Sequence, residues 1–202
     1  PPRSTLFPYT TLFRSPKAGS YYYSFTDLSV TGKINIKGKE IEVGGLAWMD
    51  HQWANVVYKK DKWTWFSFQL ENKTEIMCVE YDTEIGVDIL VEIIDKDGNQ
   101  KQYKQAKITP QGRYWKSKKT KARYPMSFQI EIPEAKLIIK TKALIKNQEM
   151  IFGQINYWEG PMKVSAKINN KKIKGRGFME LVGYRSEEHT SELQSPNTTS
   201  YA

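Results

Sequence analysis

The sequence predicts an all-β fold, and three observations lead to that prediction. Apolar and polar residues alternate along many short segments, turn-forming residues separate these segments, and no apolar period of about 3.6 residues persists over three turns. Short strands spaced roughly 8–12 residues apart, with turn signals between them, are typical of sandwiches and barrels. We count about nine or ten such strands and expect them to form an antiparallel barrel.

The first strands are predicted to form two hairpins. Ile34 and Ile36 alternate with polar residues before a turn at Gly38 and Lys39, and apolar residues alternate with glutamates after it. This pattern predicts a hairpin with one apolar face. A second hairpin is predicted for residues 63–70 and 75–81, which the polar segment 71–74 joins.

The later strands follow the same pattern. Residues 87–94 and 102–108 flank a polar turn at 95–99 and predict a third hairpin. Apolar residues then alternate strictly with polar ones over 126–132, and the last strands are predicted at 137–145, 161–168 and 176–184. Residues 116–123 carry five Lys or Arg side chains and are predicted to form an exposed basic loop.

Composition excludes several classes of protein. The 202 residues include 13% aromatics, which does not fit intrinsic disorder, and no apolar run approaches the ~20 residues of a membrane-spanning helix. Cys78 is the single cysteine, so no internal disulfide can form, and too few Cys and His residues are present for a structural zinc site. We therefore expect a globular chain without a structural metal site.

Both ends of the chain carry strings that look foreign to the protein. Residues 5–15 read TLFPYTTLFRS and residues 185–195 read RSEEHTSELQS, and both match conceptual translations of widely used sequencing-library adapters. Such segments are excluded from fold reasoning. His189 lies in the second string, which leaves His51 as the histidine available for chemistry. The net charge of +9 does not change, because the two ends carry equal numbers of positive and negative residues.

The densest group of chemically useful residues surrounds His51. Trp48, Asp50, His51 and Trp53 lie within six residues. In an extended strand His51 and Trp53 share one face, whereas Asp50 shares the other face with Trp48 unless a bulge redirects it. A histidine beside an indole in an apolar interior can transfer a proton, and the indole can stabilise a cation. The alternative is a hydrogen-bonded core histidine packed among aromatic residues.

Two further carboxylates are candidates. Glu159 follows the aromatic pair Tyr157 and Trp158, and burial beside aromatic rings would raise its pKa and make it a general acid. The alternative for this segment is a turn that enters a strand. Glu180 shares a strand face with aromatic and apolar residues, which makes it a candidate acid or an outward-facing polar residue.

At these residues the sequence resembles the lipocalin-like AttH/carotenoid 1,2-hydratase (hydroxyneurosporene synthase) family. The resemblance extends over nearly the whole segment between the adapter strings. Its motifs are Tyr21-Tyr22-Tyr23-Ser24, Gly45-x-Ala47-Trp48-Met49-Asp50-His51-Gln52-Trp53, Trp63-x-Trp65-Phe66-x-Phe68-x-Leu70, Tyr157-Trp158-Glu159-Gly160 and Gly177-Phe178-Met179-Glu180-Leu181-x-Gly183-Tyr184.

The resemblance implies a barrel with an aromatic-lined cavity for an apolar ligand. In the hydratase members a carboxylic acid protonates an isolated carbon–carbon double bond, aromatic faces shelter the cation, a base activates water, and no cofactor takes part. The pair His51 and Trp53 matches the family's motif, and these two residues, with Asp50 beside them, are the expected catalytic residues. The expected substrate-binding residues are Trp48, Trp65, Tyr81, Tyr157, Trp158, Glu159 and Glu180. Asp82 stands where many members have a basic residue, which argues against a substrate-carboxylate clamp there.

The family also implies a division of the chain. Its members have two lipocalin-like halves, so we expect residues 16–53 to be the last hairpin of the first half and residues 54–184 to be the second barrel. Segments 1–15 and 185–202 are then non-native, and the missing first half is an expected partner. A periplasmic or secreted location is suggested by the family alone.

Three functions follow as hypotheses. The favoured one is a hydratase or lyase that adds water to an isoprenoid or lipid-like alkene. The alternative is a non-catalytic carrier of a hydrophobic small molecule. The third, a basic surface that binds nucleic acid or membrane headgroups, is less favoured because the positive charge is spread over alternating strand positions.

Overall fold

A computed structural model describes residues 20–54, 62–83, 86–152 and 155–184 of this chain. The two segments attributed to adapters, with His189, lie outside the described residues. The described chain contains fourteen strands and one short 3-10 helix at Pro133–Ala135. The predicted all-β class is therefore confirmed.

The strands have the following bounds. In chain order they are β1 (Ser20–Ile36), β2 (Lys39–Ala54), β3 (Lys62–Leu70), β4 (Glu75–Thr83), β5 (Gly86–Ile94), β6 (Gln100–Tyr103), β7 (Lys107–Pro110), β8 (Tyr114–Lys116), β9 (Arg123–Pro125), β10 (Ser127–Ile132), β11 (Leu137–Ala143), β12 (Glu149–Phe152), β13 (Ile155–Ile168) and β14 (Lys171–Val182).

Ten of these strands form one antiparallel sheet. Its order is β6-β5-β4-β3-β14-β13-β11-β10-β7, and β12 pairs with the N-terminal end of β13. Strands β1 and β2 form a separate hairpin, and β8 and β9 form a short ribbon. Among these described strands, the two edge strands β6 and β7 are not paired with each other, so the expected barrel is not closed.

The open edges result from a break in a predicted strand. The segment expected to be one strand over 102–108 is divided into β6, which pairs with β5, and β7, which pairs with β10. Tyr103 and Lys107 are four residues apart and therefore at most about 14 Å from each other. The sheet thus curves until its two edges are one short connection apart.

The concave face of the sheet encloses the main core. Side chains from alternate positions of the long strands of this sheet meet there, and the largest fully buried ones include Phe66, Phe68, Phe128 and Trp158. The interior of the described sheet is filled by these side chains. The aromatic-lined ligand cavity stays a prediction.

The hairpin β1–β2 is long and largely exposed beyond its base. Its turn is formed by Lys37 and Gly38, with φ of 52° and 82°, one residue earlier than predicted. Positive φ at both central residues is the geometry that suits a two-residue hairpin turn. The predicted apolar face exists, but Ile34, Ile36 and Ile41 on it are exposed.

Other predicted strands are confirmed with changed bounds. The predicted hairpin of β3 and β4 is formed, with the two strands paired antiparallel. Strand β13 begins at Ile155 instead of at residue 161, so Tyr157 and Glu159 lie within a strand and not in a turn. The short strands β8, β9 and β12 were not predicted. None of the described residues belongs to a helix long and apolar enough to cross a membrane.

Candidate functional site

The hairpin β1–β2 packs one face of its base against the convex face of the sheet. Tyr22, Ser24 and Thr26 alternate along β1 and are buried. The Thr26 hydroxyl donates a hydrogen bond to Glu75 Oε2 on β4 at 3.0 Å, and Gln69 Nε2 on β3 donates to the Thr26 carbonyl oxygen at 2.7 Å. These polar contacts dock the hairpin on the sheet.

Aromatic side chains line the interface between hairpin and sheet. The Trp48 ring of β2 meets the Trp65 ring of β3 edge to face, with centroids 6.3 Å apart, and the Trp63 and Tyr81 rings lie 5.9 Å apart. They belong to a second apolar cluster, which comprises Tyr22, Met77, Val79, Tyr81 and Ile94 with Trp48, Trp63, Trp65 and Leu90 packed against it. The convex face of the sheet is therefore aromatic where the hairpin covers it.

Two carboxyl groups face each other beside these rings. Glu180 on β14 is directly opposite Glu159 on β13 and, on its other side, directly opposite Trp65 on β3. The Trp63 indole Nε1 donates a hydrogen bond to Glu180 Oε1 at 2.7 Å. Strand alternation places all four side chains on the convex face, because their neighbours in sequence enter the main core.

A third carboxyl group comes from the hairpin. Asp50 Oδ1 accepts hydrogen bonds from the Tyr22 hydroxyl at 2.6 Å, from the Trp48 indole Nε1 at 2.7 Å, and from the Ser24 hydroxyl. The residue as a whole keeps exposed surface, but this oxygen faces three donors. The predicted orientation of Asp50 toward the Trp48 side of the strand is therefore confirmed.

Burial shifts the pKa values of all three acids in the same direction. Burial raises the pKa of Glu180 to about 7; the Trp63 hydrogen bond opposes this, and the charges of Glu159 and Asp50 add to it. Burial also raises the pKa of Glu159, against a hydrogen bond from Tyr157. Burial raises the pKa of Asp50, and its three hydrogen bonds oppose the shift.

This arrangement is suited to proton transfer next to an apolar surface. A carboxyl group with a pKa near 7 can give up a proton at neutral pH, and neighbouring carboxylates can receive one. Indole faces beside it can stabilise positive charge. No three His, Cys, Asp or Glu side chains in the described part of the chain lie close enough together to hold a metal ion.

His51 and Trp53 lie on the opposite face of the hairpin. His51 stacks on Tyr23 at 5.2 Å and Trp53 stacks on Tyr21 at 5.4 Å, while the His51 and Trp53 rings are 5.3 Å apart. The prediction that they share a face is confirmed. The prediction of an apolar enclosure is wrong for the described chain, since His51 is exposed and Trp53 is 46% exposed. Because successive side chains of a strand point to opposite faces, Asp50 points away from both His51 and Trp53.

The predicted substrate-binding residues divide into two groups. Trp48, Trp65, Tyr81, Tyr157, Glu159 and Glu180 lie on the convex face or on the hairpin against it. Trp158 does not join them: it is fully buried in the main core, and its indole Nε1 donates to the Lys146 carbonyl oxygen at 2.6 Å. Its one-residue offset from Glu159 turns it to the other face of β13.

Trp63 and Tyr22 are the contributors that sequence reasoning missed. Trp63 holds Glu180, and Tyr22 holds Asp50. Trp63 could have been found from the sequence, because it lies two residues from Trp65 and therefore on the same face of the strand. The signal for Tyr22 was weaker, because Tyr21 and Tyr23 offer the same side chain, and only the register of the hairpin selects the middle one.

A surface cleft elsewhere on the sheet does not coincide with these acids. It has a volume of about 460 Å³ and is lined by residues that include Glu131, Pro133, Leu137 and Asn169, with no aromatic side chain among them. We place the candidate site at the acids and not at this cleft, because the cleft has neither two facing carboxyl groups nor an aromatic side chain in its lining.

Comparisons with known proteins agree with this architecture. The model of the AttH-like family matches residues 9–184, which begins inside the segment interpreted as an adapter string. No curated protein matches the chain. A crystal structure of a candidate AttH from Nitrosomonas europaea is similar with a TM-score of 0.72 and 28% identity, over 83% of this chain and 53% of that chain.

A second similar structure is kievitone hydratase from Nectria haematococca. It superimposes with a TM-score of 0.71 at 18% identity, over 81% of this chain and 53% of that chain. At this identity the similarity shows the fold. The chain spans about half the length of both structures.

Proposed function

The chain belongs to the AttH-like family, and we propose that it acts as a lipocalin-like hydratase or lyase that adds water to an isoprenoid or lipid-like alkene. The observation that carries the proposal is the Glu180 carboxyl group, held by Trp63 beside Glu159 and Asp50. The fold similarity to a protein that bears the name hydratase supports the reaction class.

Glu180 is the proposed general acid. Its pKa of about 7 keeps a large fraction of the group protonated at neutral pH. Its O–H bond breaks as the π electrons of the alkene form a new C–H bond, and a carbocation is left on the other carbon. The Trp63 hydrogen bond then stabilises the carboxylate that remains.

Water completes the addition. The faces of Trp63 and Trp65 stabilise the cation until water attacks it. The proton that the water loses passes to Asp50 or Glu159, the two carboxylates whose charges already act on Glu180. The product is an alcohol, and transfer of this proton back to Glu180 restores the starting state.

His51 and Trp53 have a separate place in the proposal. Their face of the hairpin, with Tyr21 and Tyr23, is exposed or half-buried in the described chain. The chain spans about half the length of the similar structures. We assign this face to a first lipocalin-like half of the same protein, whose cavity it would line and in which His51 and Trp53 would contact substrate.

A carrier function receives less support from the geometry. A carrier needs an enclosed apolar volume, whereas the main core of the described sheet is filled by side chains such as Phe66 and Trp158. Buried acids are also expensive in a site that only holds an apolar ligand.

The experiment uses an acyclic isoprenoid alkene as the probe, in water labelled with a heavy isotope of oxygen. We expect a product that is heavier by one labelled water. Glu180→Gln keeps an acceptor for Trp63 but cannot donate the proton, so turnover falls at least about a hundredfold. The matched control, Glu71→Gln in an exposed turn, leaves turnover unchanged.

Binding of the same probe separates the enzyme from the carrier. If the chain binds the alkene equally well with Glu180 or Gln at this position and forms no hydrated product in either case, the proposal is wrong and the carrier function is favoured.

A further inference from the structure

A second surface of the molecule combines exposed apolar side chains with a basic loop. Five large apolar residues within the segment 144–152 are exposed, and the most exposed are Leu144 at 62% and Phe152 at 61%. The others are Ile145, Met150 and Ile151. An apolar concentration of this kind marks an interaction surface more often than chance exposure does.

The basic loop carries positive charge without compensation in its own segment. Residues 111–130 contain six Lys or Arg residues and no Asp or Glu. Lys116, Lys118, Lys119, Lys121 and Arg123 are all exposed. None of them takes part in the ion pairs found among the described residues.

Glu149 joins the two segments into one surface. It lies at the start of β12, and its carboxylate accepts hydrogen bonds from the hydroxyl groups of Ser117, Thr120 and Tyr124, the last at 3.0 Å. Ser117 Oγ also accepts hydrogen bonds from the backbone amides of Lys119 and Thr120. The loop is therefore held in a fixed shape next to the exposed apolar strand.

We propose that this basic–apolar surface (residues 116–123 with 144–152) docks on the surface of an anionic phospholipid membrane. Apolar side chains that enter the boundary between headgroups and acyl chains gain from leaving water, while lysines beside them are attracted to anionic headgroups. Charge complementarity selects this partner. A protein partner would need acidic groups, and a polyanion such as nucleic acid would leave the apolar strand unused.

The test is co-sedimentation of the chain with lipid vesicles. We expect binding to vesicles of phosphatidylcholine mixed with phosphatidylglycerol, weak binding to phosphatidylcholine alone, and a loss of binding as salt rises. The triple variant Lys118→Gln, Lys119→Gln, Lys121→Gln should bind about a hundredfold more weakly, at about fivefold for each lysine. The double variant Leu144→Ser, Phe152→Ser should lose about tenfold or more.

Matched variants control for net charge. Lys163→Gln, Lys167→Gln, Lys174→Gln removes the same charge from exposed positions of β13 and β14 and should change binding by less than about twofold. An equal loss in both triple variants would overturn the proposal. Undiminished binding of the Leu144→Ser, Phe152→Ser variant to vesicles and to heparin would identify a general polyanion site and would overturn it as well.

A labelling experiment tests the same surface without removing any lysine. Cys78 is fully buried, so Phe152→Cys provides one accessible thiol for an environment-sensitive fluorophore. We expect its emission to shift to the blue with anionic vesicles, whereas a label at Lys163→Cys should not shift. A label at residue 152 that does not respond while the protein sediments with the vesicles would place the contact elsewhere and refute the proposal.

Discussion

Glu159 and Glu180 are directly opposite each other on the antiparallel strands β13 and β14. Like charges in such a position destabilise a sheet, and partial burial makes two ionised groups costlier still. The conflict is relieved when one of the pair keeps its proton, and burial raises the pKa of Glu180 to about 7. Burial, with the charge of Glu159 adding to it, therefore provides an acid at neutral pH.

The first prediction concerns stability against pH. Because the folded-state pKa of Glu180 is raised above its ordinary value of 4.5, the folded protein binds more protons than the unfolded chain between about pH 4.5 and 7. The free energy of unfolding therefore falls as pH rises through this window. Glu180→Gln should reduce this fall, to which Glu159 and Asp50 with their raised pKa values also contribute, and should become more stable than the parent above pH 7, by up to about 3 kcal/mol.

Urea denaturation at a series of pH values measures this difference. Glu71→Gln, in an exposed turn, is the control and should follow the parent at every pH. A constant difference between Glu180→Gln and the parent over the whole range would contradict the assigned pKa shift.

The second prediction concerns the hydrogen bond from Trp63. This bond lowers the pKa of Glu180 against the larger effect of burial, so Trp63→Phe should raise that pKa further, by about one unit. Carbon NMR of the carboxyl group would follow the titration directly. Trp53→Phe, on the other face of the hairpin, should leave the midpoint unchanged, and an equal shift in both variants would rule out a specific bond.

Alternation along the strands was sufficient to predict the fold class and much of the pairing. The hairpin of β3 and β4 follows from its own pattern and turn. The separation of β6 from β7 does not, because β6 pairs with the preceding strand β5, whereas β7 pairs with β10, which is distant in sequence. Short edge strands such as β12 also cannot be predicted from alternation, because both of their faces are largely exposed and no alternation of apolar and polar residues is needed there.

The candidate site could be predicted in part for the same reason. The alternation of side chains along β14 placed Glu180 on an aromatic face, and the same alternation along β2 separated Asp50 from His51. Alternation does not show which face of a hairpin the rest of the molecule covers. In the described chain the sheet covers the face of the hairpin that carries Tyr22 and Asp50. The His51 imidazole, which was expected in an apolar interior, therefore lies on the exposed face.

The third prediction tests the role that the family resemblance gives to His51. Because His51 is exposed, His51→Ala should change the free energy of unfolding by less than about 0.5 kcal/mol. If His51 contacts substrate as proposed, turnover of the isoprenoid probe should fall while the fold is kept. Gln52→Ala, at the neighbouring exposed position, serves as the control. Full turnover in His51→Ala together with loss in Glu180→Gln would confine the chemistry to the convex face.

The fourth prediction concerns the close approach of two strands beneath the site. A Cβ on Gly177 of β14 would lie against the carbonyl oxygen of Ser67 and 2.7 Å from Phe68 Cδ1 on β3. Phe68 is fully buried and the Ser67 oxygen belongs to the backbone of the sheet, so Gly177→Ala should cost about 1–3 kcal/mol. Gly32→Ala is the matched change, because a Cβ there meets nothing within 4 Å, and it should cost less than about 1 kcal/mol.

Urea denaturation compares the stability of the two variants. Equal stability of both variants would show that β3 and β14 are not in close contact at this position. Because Trp63 and Glu180 come from the same two strands, such a result would also remove the basis for their hydrogen bond.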